Sequence, residues 1–259
     1  MKFLFHSSKT MRVAQTSEGE TTTPEFLKQA NELSKYMKML EVQEISSMMK
    51  ISPKLSETTK LLIKSWTKTP VKQTPAIDSF LGDMYSGLQA ADLDKQDRAF
   101  AQEHLRILSG LYGILKPLDG IFPYRLEMAY KLPDEKFNNL YKYWGDKLAK
   151  TINDEIIINL SSVEYSKALL PYIKNAQIVT PKFLTISHKT KEPTFVVVHA
   201  KIARGAYVHW LIKERIQTLD EMEYFTDLNY SYNKKLSTPT EPVFVAKEFG
   251  GLGLSVRLT

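Results

Sequence analysis

The sequence predicts a mixed α/β (α+β) fold, a single compact domain with a mixed sheet surrounded by helices. Three observations predict it. Short strand-like runs, KFLF at 2–5 and EIIINL at 155–160, alternate with stretches of helical periodicity. The second run is apolar almost throughout, as in a strand covered on both faces. The 259 residues carry no internal repeat and no obvious linker, and they suffice for a substantial core. The domain is expected over 1–247, with 248–259 as a glycine-rich, disordered tail.

In chain order, residues 2–5 read as a buried strand ending at His6-Ser7-Ser8-Lys9-Thr10, where Lys9 either meets an anion or is a solvated loop lysine. Thr23-Pro24 is a cap-plus-first-turn signal ahead of an apolar stripe of Phe26, Leu27, Ala30, Leu33 and Met37. Ser52-Pro53 repeats the signal before Leu55, Leu62 and Trp66. Lys28, Lys35, Lys38, Lys54, Lys60 and Lys64 decorate these helices as a solvated face. The polar stretch 67–75 reads as a connection inside the domain. Ala76–Phe80 reads as a strand entering Gly82-Asp83-Met84-Tyr85, a turn without the Gly-Lys-Ser/Thr ending of a phosphate loop. Asp83 and Tyr85 are either pocket residues or a helix cap and a packed aromatic.

The chain is organised around FAQEHLRILSGLYGILKPLDGIFPYRLEM, residues 100–128. A helix capped by Asp94 is expected to place Phe100, Ala101, His104, Leu105 and Leu108 on one face, with Arg98, Gln102 and Arg106 on another. Gly110 would stop it. A helix, a glycine-flanked turn and a further element beside Arg and Lys suit a helix-hairpin-helix-like element presenting backbone N–H groups to phosphate. The other reading is a buried crossing in which the glycines permit close packing.

Beyond it, 137–153 reads as a helix. Asn159 and Ser161 lie near the carboxyl end of the EIIINL strand, where ligands gather in open α/β sheets. Ser161 with Glu164 also forms a capping-box pattern. Strands are expected at 177–186 and 194–199, then a helix over 200–216 that places Lys201 and Arg204 one turn apart. Gly205 inside that helix costs about 1 kcal/mol relative to Ala, which implies close approach of a ligand or another backbone. Short strands are expected over 223–246.

Composition narrows the chemistry. With no cysteine, disulfides, disulfide-linked partners, thiolate catalysis and Cys-ligated metals are excluded. The five histidines, His6, His104, His188, His199 and His209, show no metal-binding spacing, so no metal and no cofactor are expected. No Gly-x-Ser-x-Gly occurs and no catalytic residue is assignable. No apolar run approaches the roughly 20 residues of a membrane span, and the first residues are too short for a signal core, so a cytoplasmic protein is expected. A charge of +6 favours polyanions only if folding gathers it on one surface.

The central stretch, GDMYSGLQ at 82–89, Tyr143-Trp144-Gly145-Asp146, Ile158-Asn159-Leu160-Ser161 and AKIARG at 200–205 together resemble the YaaA family of bacterial peroxide-stress proteins. The resemblance runs collinearly over about 1–247. It departs at the first loop, where the family's usual Ser-Pro-Ala before Lys9-Thr10 is missing. The resemblance implies a cytoplasmic DNA-binding protein with a fold of its own and a helix-hairpin-helix-like element, limiting oxidative DNA damage and free iron. The expected partner is double-stranded or distorted DNA in a positive cleft, held by Lys9, Arg106, Gly110, Tyr112, Gly113, Lys116, Arg125, Lys201 and Arg204. A pocket of Thr10, Asp83, Tyr85, Glu127 and Asn159 would instead suit an enzyme acting on a small anionic or nucleotide-like substrate.

Overall fold

The computed structural model describes residues 1–12, 21–66 and 73–251. Most of the lysine-rich connection, 67–72, and the end of the expected tail, 252–259, lie outside the described residues.

The chain opens with β1 (Lys2–His6), whose Phe3, Leu4 and Phe5 are fully buried, and a short β2 (Thr10–Met11). Three helices follow: α1 (Leu27–Met39), α2 (Val42–Met49) and α3 (Pro53–Ser65). At α3 the sequence signal is obeyed, since Ser52 Oγ accepts the Leu55 N–H at 3.3 Å. At α1 the helix begins only at Leu27, beyond the Thr23-Pro24 signal. Lys60 is not part of a solvated face. It is buried, and its ammonium donates to the carbonyls of Lys38, at 3.0 Å, and Leu40, satisfying the end of α1.

Next come β3 (Thr74–Pro75), α4 (Ala76–Ser79), β4 (Phe80–Leu81), α5 (Asp83–Leu88) and α6 (Lys95–His104). The strand expected over 76–80 is thus a helical turn followed by a two-residue strand. The α6 N-cap is the predicted Asp94, which accepts the Asp97 N–H at 2.8 Å.

The largest correction falls in the central stretch. The helix stops at His104, and Leu105–Ser109 form β5, then Gly113–Leu115 form β6 and Gly120–Ile121 form β7. The expected helix-hairpin-helix-like element is therefore a helix, a strand, a tight turn and an antiparallel strand. Every residue of β5 is buried, and a short apolar run buried on both faces has no period that separates strand from helix. Pairing decides it: Phe3, Leu4, Phe5 and His6 lie opposite Leu105, Arg106, Ile107 and Leu108 in parallel register. Gly110 does not adopt a left-handed stop. An added Cβ there would sit 2.4 Å from the Leu126 carbonyl, so its bareness lets the 126–127 backbone lie against the turn.

The remaining elements are α7 (Leu140–Trp144), β8 (Ile156–Asn159), α8 (Val163–Ser166), β9 (Gln177–Val179), β10 (Lys182–Ile186), β11 (Pro193–Thr194), α9 (Val197–Lys213), β12 (Tyr230–Tyr232) and β13 (Val243–Ala246). The helix expected over 137–153 breaks at Gly145, which has φ +52°. The valines of TFVVVH open α9 instead of a strand, because the surrounding fold, not β propensity, decides their backbone. Ser162, not Ser161, is the α8 N-cap. At the tail's start, Phe249 stacks on His199 with ring centroids 4.1 Å apart, and Gly250 N–H donates to the Leu228 carbonyl at 3.0 Å.

Five strands form the main sheet in the order β6-β5-β1-β8-β9, with β6 antiparallel at one edge and the rest parallel. A second, mixed sheet runs β11-β10-β13-β12. Helix α9 packs on β10 and, across two glycines, on α5. A Cβ on Gly205 would fall 1.9 Å from the Met84 carbonyl, and one on Gly87 would fall 2.1 Å from the Ile202 carbonyl. The two backbones touch, so Gly205 serves the approach of another backbone.

Gly205→Ala should therefore destabilise the protein. Alanine is favoured in a helix by about 1 kcal/mol, but overpacking against rigid backbone costs about 1–3 kcal/mol or more. Thermal unfolding should show a lower Tm, by about 2–4 °C for each kcal/mol lost. An unchanged or raised Tm would mean that the helices do not touch at this point.

Candidate functional site

In the main sheet the chain leaves β1 for β5 on one side, and leaves β8 for β9 on the other. The carboxyl ends of β1 and β8, adjacent and parallel, are therefore not covered by a shared connection. This is the crevice position at which open α/β sheets bind ligands. A cleft of about 410 Å³ opens there. The end of β1 brings His6, the loop after it brings Ser8 and Lys9, and the segment after β8 brings Ser162, Glu164 and Tyr165. The start of α5 brings Asp83 and Tyr85, α9 brings Lys201, and the stretch after β7 brings Glu127.

His6 is held by three contacts. Its Nδ1 accepts the Ser162 N–H at 3.2 Å, its ring stacks on Tyr165 at 4.8 Å, and its carbonyl accepts the Tyr85 hydroxyl at 2.9 Å. The Ser162 bond requires a bare Nδ1, so the neutral ring carries its proton on Nε2. Burial, and then the positive charges of Arg204 and Lys201, push its pKa down to about 3.

Glu127 is 7% exposed. Burial, and then the negative charge of Glu164, push its pKa up to about 6, while Lys9, a hydrogen bond from Tyr165 and the charge of Arg125 act in the opposite direction. Tyr165 in turn accepts from Ser7 Oγ at 3.1 Å, and it lines the cleft together with Glu127. Glu164 is fixed by the Ala129 N–H, 3.0 Å from its Oε1. Gly82, with φ +114°, makes the turn that sets Asp83 at the head of α5.

Of the residues singled out in the sequence, Lys9, Asp83, Tyr85, Glu127 and Lys201 converge on the cleft. Arg125 lies beside it, its Nη1 donating to the Lys9 carbonyl at 3.4 Å, while its buried Nε has no partner among the described residues. Arg204 is close enough to act on His6, and burial lowers its own pKa. Thr10 is exposed in β2. Asn159 stands behind the cleft and accepts the Ser161 hydroxyl at 2.7 Å.

The rest lie elsewhere. Gly110, Tyr112 and Gly113 are buried, and the Tyr112 hydroxyl accepts the Phe122 N–H at 3.0 Å. Arg106 donates to the carbonyls of Gln102 and Leu105 at 3.0 and 2.7 Å. With Lys116, Asp119 and Lys150 it lines a separate depression of about 240 Å³. His6, Ser7, Glu164 and Tyr165 were not recognised as site residues. The carboxyl-end rule, applied to the 2–5 and 155–160 strands, pointed at all of them.

A family model described as peroxide stress protein YaaA matches residues 1–236. The chain belongs to that family. It is 48% identical over 258 residues to a UPF0246 protein of Salinispora tropica, a match covering 99% of this chain and 98% of that protein. It is also 39% identical over 233 residues to the UPF0246 protein RD1_0358 of Roseobacter denitrificans, covering 86% and 90% of the two chains. A third member, UPF0246 protein Mmwyl1_3597 of Marinomonas sp., is 38% identical over 256 residues, covering 96% and 98%. The matched span includes every cleft residue named above.

The raised Glu127 pKa carries a stability consequence. Folding raises it from 4.5 to about 6, so the native state holds the extra proton. Its stabilising effect is full below about 4.5 and is lost as pH rises through 6. Glu127→Gln should then stabilise the protein at neutral pH by on the order of 1–2 kcal/mol, with the difference vanishing near pH 4.5. Urea denaturation of both proteins across that range measures it, and a pH-independent difference would contradict it.

Proposed function

We propose that this protein works in the cytoplasm as a DNA-binding protein of the peroxide stress response, limiting oxidative damage and free iron. In this reading DNA presents a displaced nucleotide or a strand end to the cleft. The observation that carries it is Lys9 and Lys201 in the lining of a crevice at the carboxyl ends of β1 and β8, with Arg125 bonded to the Lys9 carbonyl and Arg204 one turn from Lys201 on α9. A volume of about 410 Å³ is on the scale of a small-ligand pocket, not of a duplex groove. Duplex around an unpaired nucleotide would be held by charge neutralisation at its phosphates. Direct iron capture forms no part of the proposal. Among the described residues no group of three or more His, Cys, Asp or Glu is placed to hold a metal.

A second reading is favoured by one observation, the buried carboxylate of Glu127 inside the same cleft. A carboxylate opposes phosphate binding, whereas a group with a pKa of about 6 suits proton transfer near neutral pH. It supports an enzyme acting on a small anionic or nucleotide-like substrate.

Filter binding separates the two. Duplex with an unpaired nucleotide should bind more tightly than intact duplex, with a log–log salt slope near about −4 if about four or five phosphates are neutralised. Lys9→Ala and Arg204→Ala should each reduce that slope by about one unit, and Asp83→Ala should not. A slope near zero would remove the electrostatic mechanism. Normal DNA binding by the basic variants, with loss of peroxide survival in Asp83→Ala and Glu127→Ala cells, would replace the DNA reading by the enzymatic one.

A further inference from the structure

We propose that the cleft is a mononucleotide site with two chemically different ends. His6, Lys201 and Arg204 form an end for the phosphate, and Glu127 with Tyr165 forms an end for the hydroxyl and amino donors of the sugar and base. This rests on the reading that the cleft is the ligand site, and extends it from DNA to free nucleoside monophosphates.

The two ends are built from different elements of the fold. In the cleft lining His6 ends β1 and Lys201 stands on α9, whereas Glu127 comes from the stretch after β7, with Lys9 and Glu164 beside it. At the first end, His6 spends Nδ1 on the Ser162 N–H and so offers Nε2–H as a neutral donor. Arg204 is partly buried, and among the described residues no carboxylate pairs with its guanidinium. A partly buried cation without a counter-ion calls for an anion, and guanidinium, ammonium and imidazole N–H together match the oxygens of a phosphate.

At the second end, Glu127 is faced by Lys9 from the loop after β1, by Glu164 and Tyr165 from α8, and by Tyr124, Arg125 and Tyr130 from its own segment. Glu164 engages the Ala129 N–H, and Tyr165 lines the cleft beside Glu127. Glu127 retains acceptor capacity that repels phosphate and receives O–H and N–H groups. A ligand carrying one anionic terminus and one donor-rich ring system satisfies both ends, and a nucleoside monophosphate has that form.

Calorimetric titration of the full chain with deoxyadenosine monophosphate, deoxyadenosine and inorganic phosphate tests the assignment. The monophosphate should bind more tightly than either fragment. Lys201→Ala, at an exposed position that does not threaten folding, and Arg204→Ala should weaken the monophosphate at least about tenfold and leave deoxyadenosine unchanged. Glu127→Gln should weaken deoxyadenosine. Donors from the ligand hold Glu127 ionised, so binding releases a proton, and affinity should fall as pH drops through about 6. The phosphate's own protonation near pH 6 is common to both proteins, so the reading is the steeper fall in wild type than in Glu127→Gln.

Inorganic phosphate binding as tightly as the monophosphate would overturn the two-ended site. So would equal weakening of nucleoside and nucleotide by Lys201→Ala, or no binding of any probe. If DNA with an unpaired nucleotide still binds with its salt slope while the monophosphate does not, this inference alone falls. Loss of both removes the DNA reading with it.

Discussion

The contact on which the site depends is the backbone crossing of α5 and α9 at Gly87 and Gly205. Helices with side chains at the crossing lie about 8–10 Å apart, and here the absence of Cβ atoms brings carbonyl and Cα into direct contact. Asp83 and Tyr85 lie one turn or less from Gly87, and Lys201 and Arg204 lie within one turn of Gly205. The crossing therefore sets the distance between the acidic and basic walls of the cleft. It also clamps the β1 loop from outside, because Tyr85 reaches across to the His6 carbonyl.

A second glycine contact performs the same task on the opposite wall. Gly110 lets the backbone of Leu126 and Glu127 lie on the β5–β6 turn, and the Trp144 indole N–H caps the Gly110 carbonyl at 3.1 Å. Gly113, with φ +74°, closes that turn against Trp144 and Leu148. The glycines that suggested a phosphate-binding hairpin are thus packing devices that deliver Glu127 to the cleft. Their backbone lies inside the core, out of reach of a polyanion.

The cleft's electrostatics follow from that packing. Burial disfavours the charged form of both groups and moves them in opposite directions, lowering the pKa of His6 and raising that of Glu127. At neutral pH His6 is an uncharged donor, and Glu127 sits within reach of a proton exchange. Tyr165 stacks on the imidazole and shares the cleft lining with the carboxylate.

By itself the sequence determined what local chemistry determines. The first strand and EIIINL were legible because continuous apolar runs admit few alternatives, and the Ser52 and Asp94 caps because their side chains bond within the next turn. The absence of cysteine chemistry and the unusual demand at Gly205 were legible in the same way. Lys9, Glu127 and Lys201 were named from sequence as charged residues near glycines and strand ends, and Asp83 and Tyr85 for their place in the GDMYSGLQ segment that the family resemblance covers. Tertiary structure alone decided the rest. Leu105–Ser109 became a strand because β1 offered it a partner, and Val197 and Val198 became the first turn of α9, which packs on α5 and β10. Tertiary structure also separated Arg106 and Lys116 from Lys201, and turned a cap signal at Ser161 into a support for Asn159. In each case the deciding partner lies far along the chain, and local sequence carries no record of the distance at which two such segments will meet.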